Sequence, residues 1–265
     1  MYKLVISDLD GTLLNKEHEL STYTKTTIKK LVDKGIKFFI ATGRHHVDTL
    51  EIKEKLGLKE AYLITSNGAR VYDYEGKLLI SHNHKSDIAE EILKLPLEEG
   101  VHLNVYSDNR WLIFQDNERI NEWVEKTTFR FNKINKEELT YEEILKWYYL
   151  GNHELLLKVK EKLESKWGNE IECLFSLPDC LEIMPKGISK AKAIEEIIEK
   201  EGIKQEETIA FGDGFNDYEM LKFVKKGLVM GNAHEKLKEA LKHLEVIEHN
   251  CQDGVAKYLS KLYSL

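Results

Sequence analysis

Short apolar runs alternate with amphipathic segments of helical length at both ends of this chain, and the alternation stops in between. Leu4-Val5-Ile6 reads as a buried strand. Ser21 is placed to cap a helix carrying Ile28, Leu31 and Val32, which Gly35 ends. Residues 36–41 form a second strand, a helix with Val47, Leu50 and Leu56 stops at Gly57, and residues 61–65 form a third strand. Strands this short, joined by single helices, predict a parallel sheet with right-handed crossovers. Residues 70–80 turn at Tyr74-Glu75-Gly76-Lys77 and add an antiparallel edge. After Pro185 the same rhythm resumes. A helix from Ser189 carries Ala193, Ile194, Ile197 and Ile198, and residues 208–211 make a strand. A helix with Met220, Leu221 and Val224, a strand over 227–230 and a last helix with Val255, Tyr258, Leu259 and Leu262 complete it.

Between these segments the pattern is helix followed by hairpin, twice. Ser86 is the expected cap of a helix with Ile88, Ile92 and Leu93; strands over 101–107 and 111–115 follow, turning at Asp108-Asn109. A helix over 154–167 with Leu155, Leu156, Val159 and Leu163 precedes strands over 171–176 and 180–184, which turn at Pro178-Asp179. Such units predict an antiparallel α+β module with its helices on one face. The expected fold class is therefore α/β: a Rossmann-like parallel sheet core flanked by helices, built from residues 1–81 and 186–265, with an α+β domain of residues 82–185 inserted.

Composition narrows the partners. A net charge of -7 argues against a nucleic-acid-binding surface, which is usually basic. No apolar run approaches the roughly 18 residues of a membrane span, and Met1-Tyr2-Lys3 leads straight into a strand. Cys173, Cys180 and Cys251 have no metal-site or redox spacing and read as reduced thiols. The chain reads as cytoplasmic, with no membrane and no nucleic acid among its partners.

The first strand ends in Asp8-Leu9-Asp10-Gly11-Thr12 and the strand at 208–211 ends in Gly212-Asp213-Gly214-Phe215-Asn216-Asp217. In an open α/β sheet, ligands bind beyond the carboxyl ends of the strands. Four carboxylates gathered there repel unless a cation neutralises them, and hard oxygen donors favour Mg²⁺. A carboxylate on a tight turn, with Gly11 allowing close backbone approach, suits a nucleophile or a metal ligand, which is the place of Asp8. Asp10, two residues on, is placed to give and take a proton. Thr42, ending the second strand, offers a hydroxyl and a backbone N–H to an anion, and Lys190 offers a positive charge at the start of its helix. Gly43, Arg44, Asn67 and Asn216 are further candidates for holding a phosphate or substrate; for Arg44 a salt bridge is an equal alternative, and for Asn67 a plain turn. His45 and His46 read as a solvated helix start, and His82 and His84 as linker residues. Trp111, Trp123, Trp147, Tyr148 and Tyr149 read as packing, and residues 158–166 as a solvated helix face.

These motifs, in this order, resemble those of the haloacid dehalogenase-like phosphohydrolases: Asp8-x-Asp10-Gly11-Thr12, Thr42, Lys190 and Gly212-Asp213-x-x-Asn216-Asp217. The place and size of the insertion resemble the C2B-capped, Cof-type branch. So do Ser66-Asn67-Gly68-Ala69, Met184-Pro185-Lys186-Gly187, Met230-Gly231-Asn232-Ala233 and Asp253-Gly254-Val255. The resemblance implies a Mg²⁺-dependent phosphatase acting on a small phosphorylated metabolite, a sugar phosphate or similar phosphomonoester, with the inserted domain as a C2B-type cap that sets specificity. It implies Asp8 as the nucleophile forming an aspartyl-phosphate, Asp10 as acid and then base, and Thr42 and Lys190 on the phosphoryl oxygens. It implies a metal site of Asp8, Asp10 (through its backbone carbonyl), Asp213 and Asp217, the last orienting metal waters or Lys190.

The chain departs from the family pattern at Ser7, Ala191 and Tyr218, none of which removes a catalytic group; Tyr218 bears on packing beneath the metal site. Two other functions compete. A sugar phosphomutase would need several cap arginines, and the insertion carries only Arg110, Arg119 and Arg130. A catalytically silent phosphometabolite-binding protein would have lost Asp8, Asp10, Lys190 or Asp213, and all four are present.

Overall fold

In a computed structural model, residues 2–108, 110–126 and 129–265 are described. Along the chain, β1 (Leu4–Ser7), α1 (Thr22–Asp33), β2 (Lys37–Ala41), α2 (His46–Lys55), β3 (Leu63–Thr65), β4 (Arg70–Tyr72) and β5 (Leu78–Ser81) come first. Then follow α3 (Ser86–Lys94), β6 (His102–Ser107), β7 (Trp111–Ile113), α4 (Glu118–Lys126), β8 (Phe131–Lys133), β9 (Ile144–Leu150), α5 (His153–Trp167), β10 (Ile171–Leu177) and β11 (Cys180–Pro185). The last stretch holds α6 (Lys190–Lys200), β12 (Thr208–Gly212), α7 (Tyr218–Phe223), β13 (Lys226–Val229), α8 (Glu235–Ala240), β14 (Glu245–Val246) and α9 (Gly254–Tyr263). The chain divides into two compact units, residues 1–81 with 189–265, and residues 82–188. None of the described helices is long and apolar enough to cross a membrane.

The first unit is an eight-stranded sheet in the order β14-β13-β12-β1-β2-β3-β4-β5. It is parallel from β14 to β3, and β4 and β5 close one edge antiparallel. Its central strands are buried on both faces, which is why they read as unbroken apolar runs. Val5, Phe38, Ile40, Ile209 and Phe211 pack with Ile28 and Leu31 of α1, Ile52 of α2, and Val255 and Leu259 of α9. On the other face Leu4, Ile6, Phe39 and Ala210 pack with Ile194 and Ile197 of α6, Met220 of α7 and Leu237 of α8. The chain leaves β1 toward β2 on one side, while β12 lies against its other side and leads away to β13. The strand order thus reverses between β1 and β12, the crevice where open α/β sheets take ligands. Leu50, expected on the apolar face of α2, is instead 39% exposed, because α2 turns Ile52, Asp48 and Thr49 inward.

The second unit is a six-stranded sheet in the order β10-β11-β9-β6-β7-β8, with α3 and α5 on one face through Ile88, Ile92, Leu156 and Leu163. Two features differ from expectation. The central strand β9 was not apparent from sequence, and β8 runs parallel to β7, so the sheet is not wholly antiparallel. Strand β9, Ile-Leu-Lys-Trp-Tyr-Tyr-Leu, is buried throughout and lacks alternation. Its Lys146 is accommodated by Glu182 on the neighbouring β11, 3.0 Å away. Ser86 is not the cap of α3 but its first residue, Lys85 holding the cap position. Nor is His84 a linker residue: it is buried, donates from Nε2 to the Ile183 carbonyl at 3.1 Å, and burial pushes its pKa down to about 4. Asn109 of the expected turn and the Trp123 side chain lie outside what is described.

Candidate active site

Asp8 follows the last residue of β1, its N–H donating to the Phe211 carbonyl of β12 and so continuing the ladder (3.1 Å). Asp213 follows the end of β12, next door. Between them Gly11 holds a φ of +73°, and a Cβ there would sit 2.2 Å from Asp213 Oδ2, so only glycine lets the two turns meet. Thr12 donates its hydroxyl to Asp213 Oδ1 at 2.7 Å. Asn232 ties the same turn from below, donating from Nδ2 to the Gly11 carbonyl at 2.7 Å, and its Oδ1 accepts the Asn250 N–H at 3.0 Å.

Lys190 opens α6, whose N-cap Ser189 accepts the Lys192 N–H. Its side chain is fully buried and donates to Asp8 Oδ1 at 2.7 Å and Asp217 Oδ1 at 2.6 Å. Burial alone would discharge it; the two carboxylates outweigh that and hold it charged. Asp217, also fully buried, accepts three hydrogen bonds. Its Oδ2 accepts the N–H groups of Asp213 and Gly214 at 3.0 and 2.9 Å, so it shapes the turn that presents Asp213 while pinning Lys190.

Carboxylate oxygens of Asp8, Asp213 and Asp217 all lie within 4.8 Å of one another. Three carboxylates against one lysine leave two negative charges uncompensated. Burial first, then Asp217, push Asp213 up to about 7; burial also drives Asp8 well above the usual carboxylate range, against the pull of Lys190. A hard divalent cation would relieve this repulsion, so the donor set fits Mg²⁺. Asp8 and Asp213 have the free lone pairs for it, whereas Asp217 is taken up by three donors. The Asp10 carboxylate stands outside the three-carboxylate group.

Asp10 is held by Arg44, whose Nε donates to Oδ2 and Nη2 to Oδ1, both at 2.6 Å, and by His18 Nδ1 at 2.8 Å from Oδ1. These bonds overcome burial and keep the carboxyl well below the usual range, hence ionised. For Arg44, left open between substrate and salt bridge, the structure shows the salt bridge. Thr42 is buried at the end of β2; its backbone N–H donates to the Ile64 carbonyl (2.8 Å), so it is not free for an anion as expected. Its hydroxyl oxygen accepts the Arg44 N–H at 3.1 Å and keeps its own proton to donate.

Asn67 and Asn216 meet directly, Asn216 Nδ2 donating to Asn67 Oδ1 at 3.0 Å. The Ser66-Asn67-Gly68 turn runs through φ values of +48°, +57° and +101°. It is anchored to the β2 end, Ser66 N–H donating to Arg44 O (2.9 Å) and Asn67 N–H to Thr42 O (3.0 Å). A Cβ at Gly68 would lie 2.5 Å from the Ser189 carbonyl, and one at Gly43 would lie 3.1 Å from Asn67 Oδ1. This turn therefore braces the Thr42 loop, Asn216 and the start of α6 against one another. His45 and His46 are not a solvated helix start: His45 is buried and caps α2, accepting the Val47 N–H at Nδ1, and His46 stacks on Tyr72 at 4.6 Å. Tyr218 packs against the α6–α7 side of the core, with the Lys222 ammonium 4.9 Å from its ring centre. His18, Asn232 and Asn250 were not singled out as site residues; only Asn232 carried a signal, within Met230-Gly231-Asn232-Ala233.

Comparison with known proteins gives the same direction throughout. Residues 5–259 match the family model described as haloacid dehalogenase-like hydrolase. The chain is 36% identical to an HMP-PP phosphatase of Yersinia pestis over 98% of its own length and 94% of the relative's. Among solved structures it is similar to TM0651 from Thermotoga maritima, with 31% identity, a TM-score of 0.86, and 98% and 97% of the two chains covered. It is also similar to the HAD subclass IIB sugar phosphatase BT4131, with 26% identity, a TM-score of 0.86, and 99% and 100% covered.

Proposed function

The chain belongs to the haloacid dehalogenase-like hydrolases, as a phosphatase, and we propose that it is Mg²⁺-dependent and cleaves a small phosphorylated metabolite through an aspartyl-phosphate on Asp8. The observation that carries this is the cluster of Asp8, Asp213 and Asp217 around the buried Lys190, two charges short of neutrality. Bound there, Mg²⁺ supplies positive charge to the phosphoryl oxygens and to the Asp8–Asp213 pair. Asp8 and Asp213 would hold it with the main-chain carbonyl of Asp10, and Asp217 acts from behind, through Lys190 and the Asp213 turn.

Asp8 attacks phosphorus and the ester P–O bond breaks; Asp10, ionised in the free protein, takes up the proton of the substrate's phosphate monoanion and passes it to the departing oxygen. Asp10 then takes a proton from the water that releases phosphate from Asp8. Lys190 and the Thr42 hydroxyl offset the charge on the phosphoryl oxygens, and Asn67, Gly43 and Asn216 keep that cradle in shape. Phosphoryl transfer through a loose transition state needs chiefly such positioning and charge. The inserted unit, residues 82–188, is assigned the choice of substrate. Sugar phosphates and HMP-PP head the panel to test, since relatives carry those names. Free phosphate released with Mg²⁺ and not with EDTA is the expected result; no hydrolysis across a broad phosphomonoester panel would overturn the reading, and isomerised sugar phosphate without free phosphate would favour a mutase.

Metal and pH should be linked. A carboxyl whose pKa is raised on folding keeps its proton where the unfolded chain has lost it. For Asp213 this makes the metal-free protein lose stability as pH rises from about 4 through about 7, with the lower value persisting above. Mg²⁺ binds the deprotonated form, so it should stabilise most where protons are gone. At a hundredfold excess over Kd it should raise Tm by about 5 °C at pH 8 and far less at pH 5.5. Calorimetric scans with Mg²⁺ or EDTA at the two pH values check this, and an equal or larger shift at pH 5.5 would refute it.

A further inference from the structure

His18 lies in none of the motifs and is one of the few residues with a side chain held in left-handed backbone, at φ +60°. The turn that holds it is over-determined. Asn15 Oδ1 accepts the N–H groups of Glu17 and Glu19 at 3.1 and 2.9 Å, the Asn15 N–H donates to Glu19 O, and the His18 N–H donates to Asn15 O, both at 3.0 Å. Strain of this kind persists where surrounding bonds enforce it, and it concentrates at working sites. What it presents is His18 Nδ1, 2.8 Å from Asp10 Oδ1. In the tautomer with its proton on Nδ1, His18 donates to that oxygen. Arg44 fixes the same carboxylate with one bond to each oxygen, its Nη2 sharing Oδ1 with His18 at 3.4 Å from Nδ1.

We propose that His18 is a positioning residue that, with Arg44, sets the Asp10 carboxylate as the base for the second half of the reaction. This rests on the reading of Asp10 given above. In that step the water oxygen bonds to phosphorus, its proton goes to Asp10, and the P–O bond to Asp8 breaks with the electron pair returning to Asp8. Both arms hold the Asp10 carboxylate in one orientation, the placement a base needs before the water arrives.

The test uses p-nitrophenyl phosphate with Mg²⁺. Its leaving group departs without a proton, so the first turnover reports attack by Asp8 and the steady state reports release of phosphate. His18→Ala should keep a burst of about one nitrophenolate per active site while kcat falls about tenfold or more, a fraction of the 10²–10⁴ that a positioned acid or base contributes. KM should fall in proportion, leaving kcat/KM unchanged, because that ratio is decided before the second step. His18→Asn should recover kcat to within about threefold of wild type, since Asn tolerates left-handed backbone and can donate to Asp10. A fall in kcat at constant KM, or His18→Asn as slow as His18→Ala, would overturn the proposal. Asp10→Asn separates the two levels: if it loses kcat while His18→Ala does not, only the role of His18 fails; if it keeps wild-type kcat, the reading of Asp10 fails with it.

Discussion

Asp8→Asn should lower turnover by at least about 10⁴-fold while leaving the protein folded, on the scale seen when a catalytic nucleophile is removed from a hydrolase. The substitution keeps the shape and an oxygen able to accept from Lys190 Nζ, now at 2.7 Å from Asp8 Oδ1. What it removes is the negative charge proposed to attack phosphorus and to share the metal. The same change takes one of three mutually repelling carboxylates out of a buried cluster. The metal-free variant should therefore melt no lower than wild type, which separates a catalytic loss from an unfolded one. Phosphate release from the panel, together with calorimetry, measures both. Residual Mg²⁺-dependent hydrolysis above about 1% of wild type would sink the assignment of Asp8 as nucleophile.

Lys190→Met should have the largest effect on stability. Lys190 is the one cation touching Asp8 and Asp217 among the described residues, and both it and Asp217 are fully shielded from water. Removing one partner of a buried pair leaves the other charge uncompensated and typically costs about 3–5 kcal/mol. For a chain of this size that corresponds to a fall in Tm of about 10 °C. Acidification or Mg²⁺ should restore part of it, since either one neutralises the carboxylates the lysine has abandoned. The measurement must be calorimetric or use far-UV circular dichroism. All four tryptophans, at positions 111, 123, 147 and 167, lie in the unit of residues 82–188, so tryptophan fluorescence would report the wrong half of the protein. Unchanged stability would overturn the reading of Lys190 as the counter-charge of Asp8 and Asp217.

Much of the first unit could be read in advance because its signals are local. Ser21 caps α1 by accepting the Thr24 N–H, as its place before Ile28 and Leu31 implied, and Ser189 does the same for α6. The strands that carry Asp8 and Asp213 are buried on both faces, and such strands announce themselves as short apolar runs. The hairpin of β10 and β11 declared its turn through Pro178-Asp179. By contrast β9 mixes lysine, tryptophan and tyrosine in a single buried run. Its identity as the centre of the second sheet depends on Glu182, which neutralises Lys146 from another strand. His45 and His84 are buried against expectation for a similar reason: whether a histidine is wet or buried is decided by what packs on it from elsewhere in the chain.

The sequence alone determined the ingredients of this phosphatase: acidic turns at two strand ends, a threonine at a third, a lysine at the start of a helix, and an insertion between them. Those are local matters, set by the turn preferences of Asp and Gly and by periodicities of two and of three to four residues. Only the tertiary structure decided how each ingredient is used. Asp217 spends its oxygens on Lys190 and on the Asp213 turn, which leaves Asp8 and Asp213 as the carboxylates for the proposed metal. Asp10 is clamped by Arg44 and by a histidine from a strained turn, and Thr42 gives its N–H to the sheet. Apart from the Asp213 turn itself, those partners lie between 8 and 34 residues apart in sequence, and hydrogen-bond geometry across such separations is set by how the strands and helices pack, which no local preference encodes.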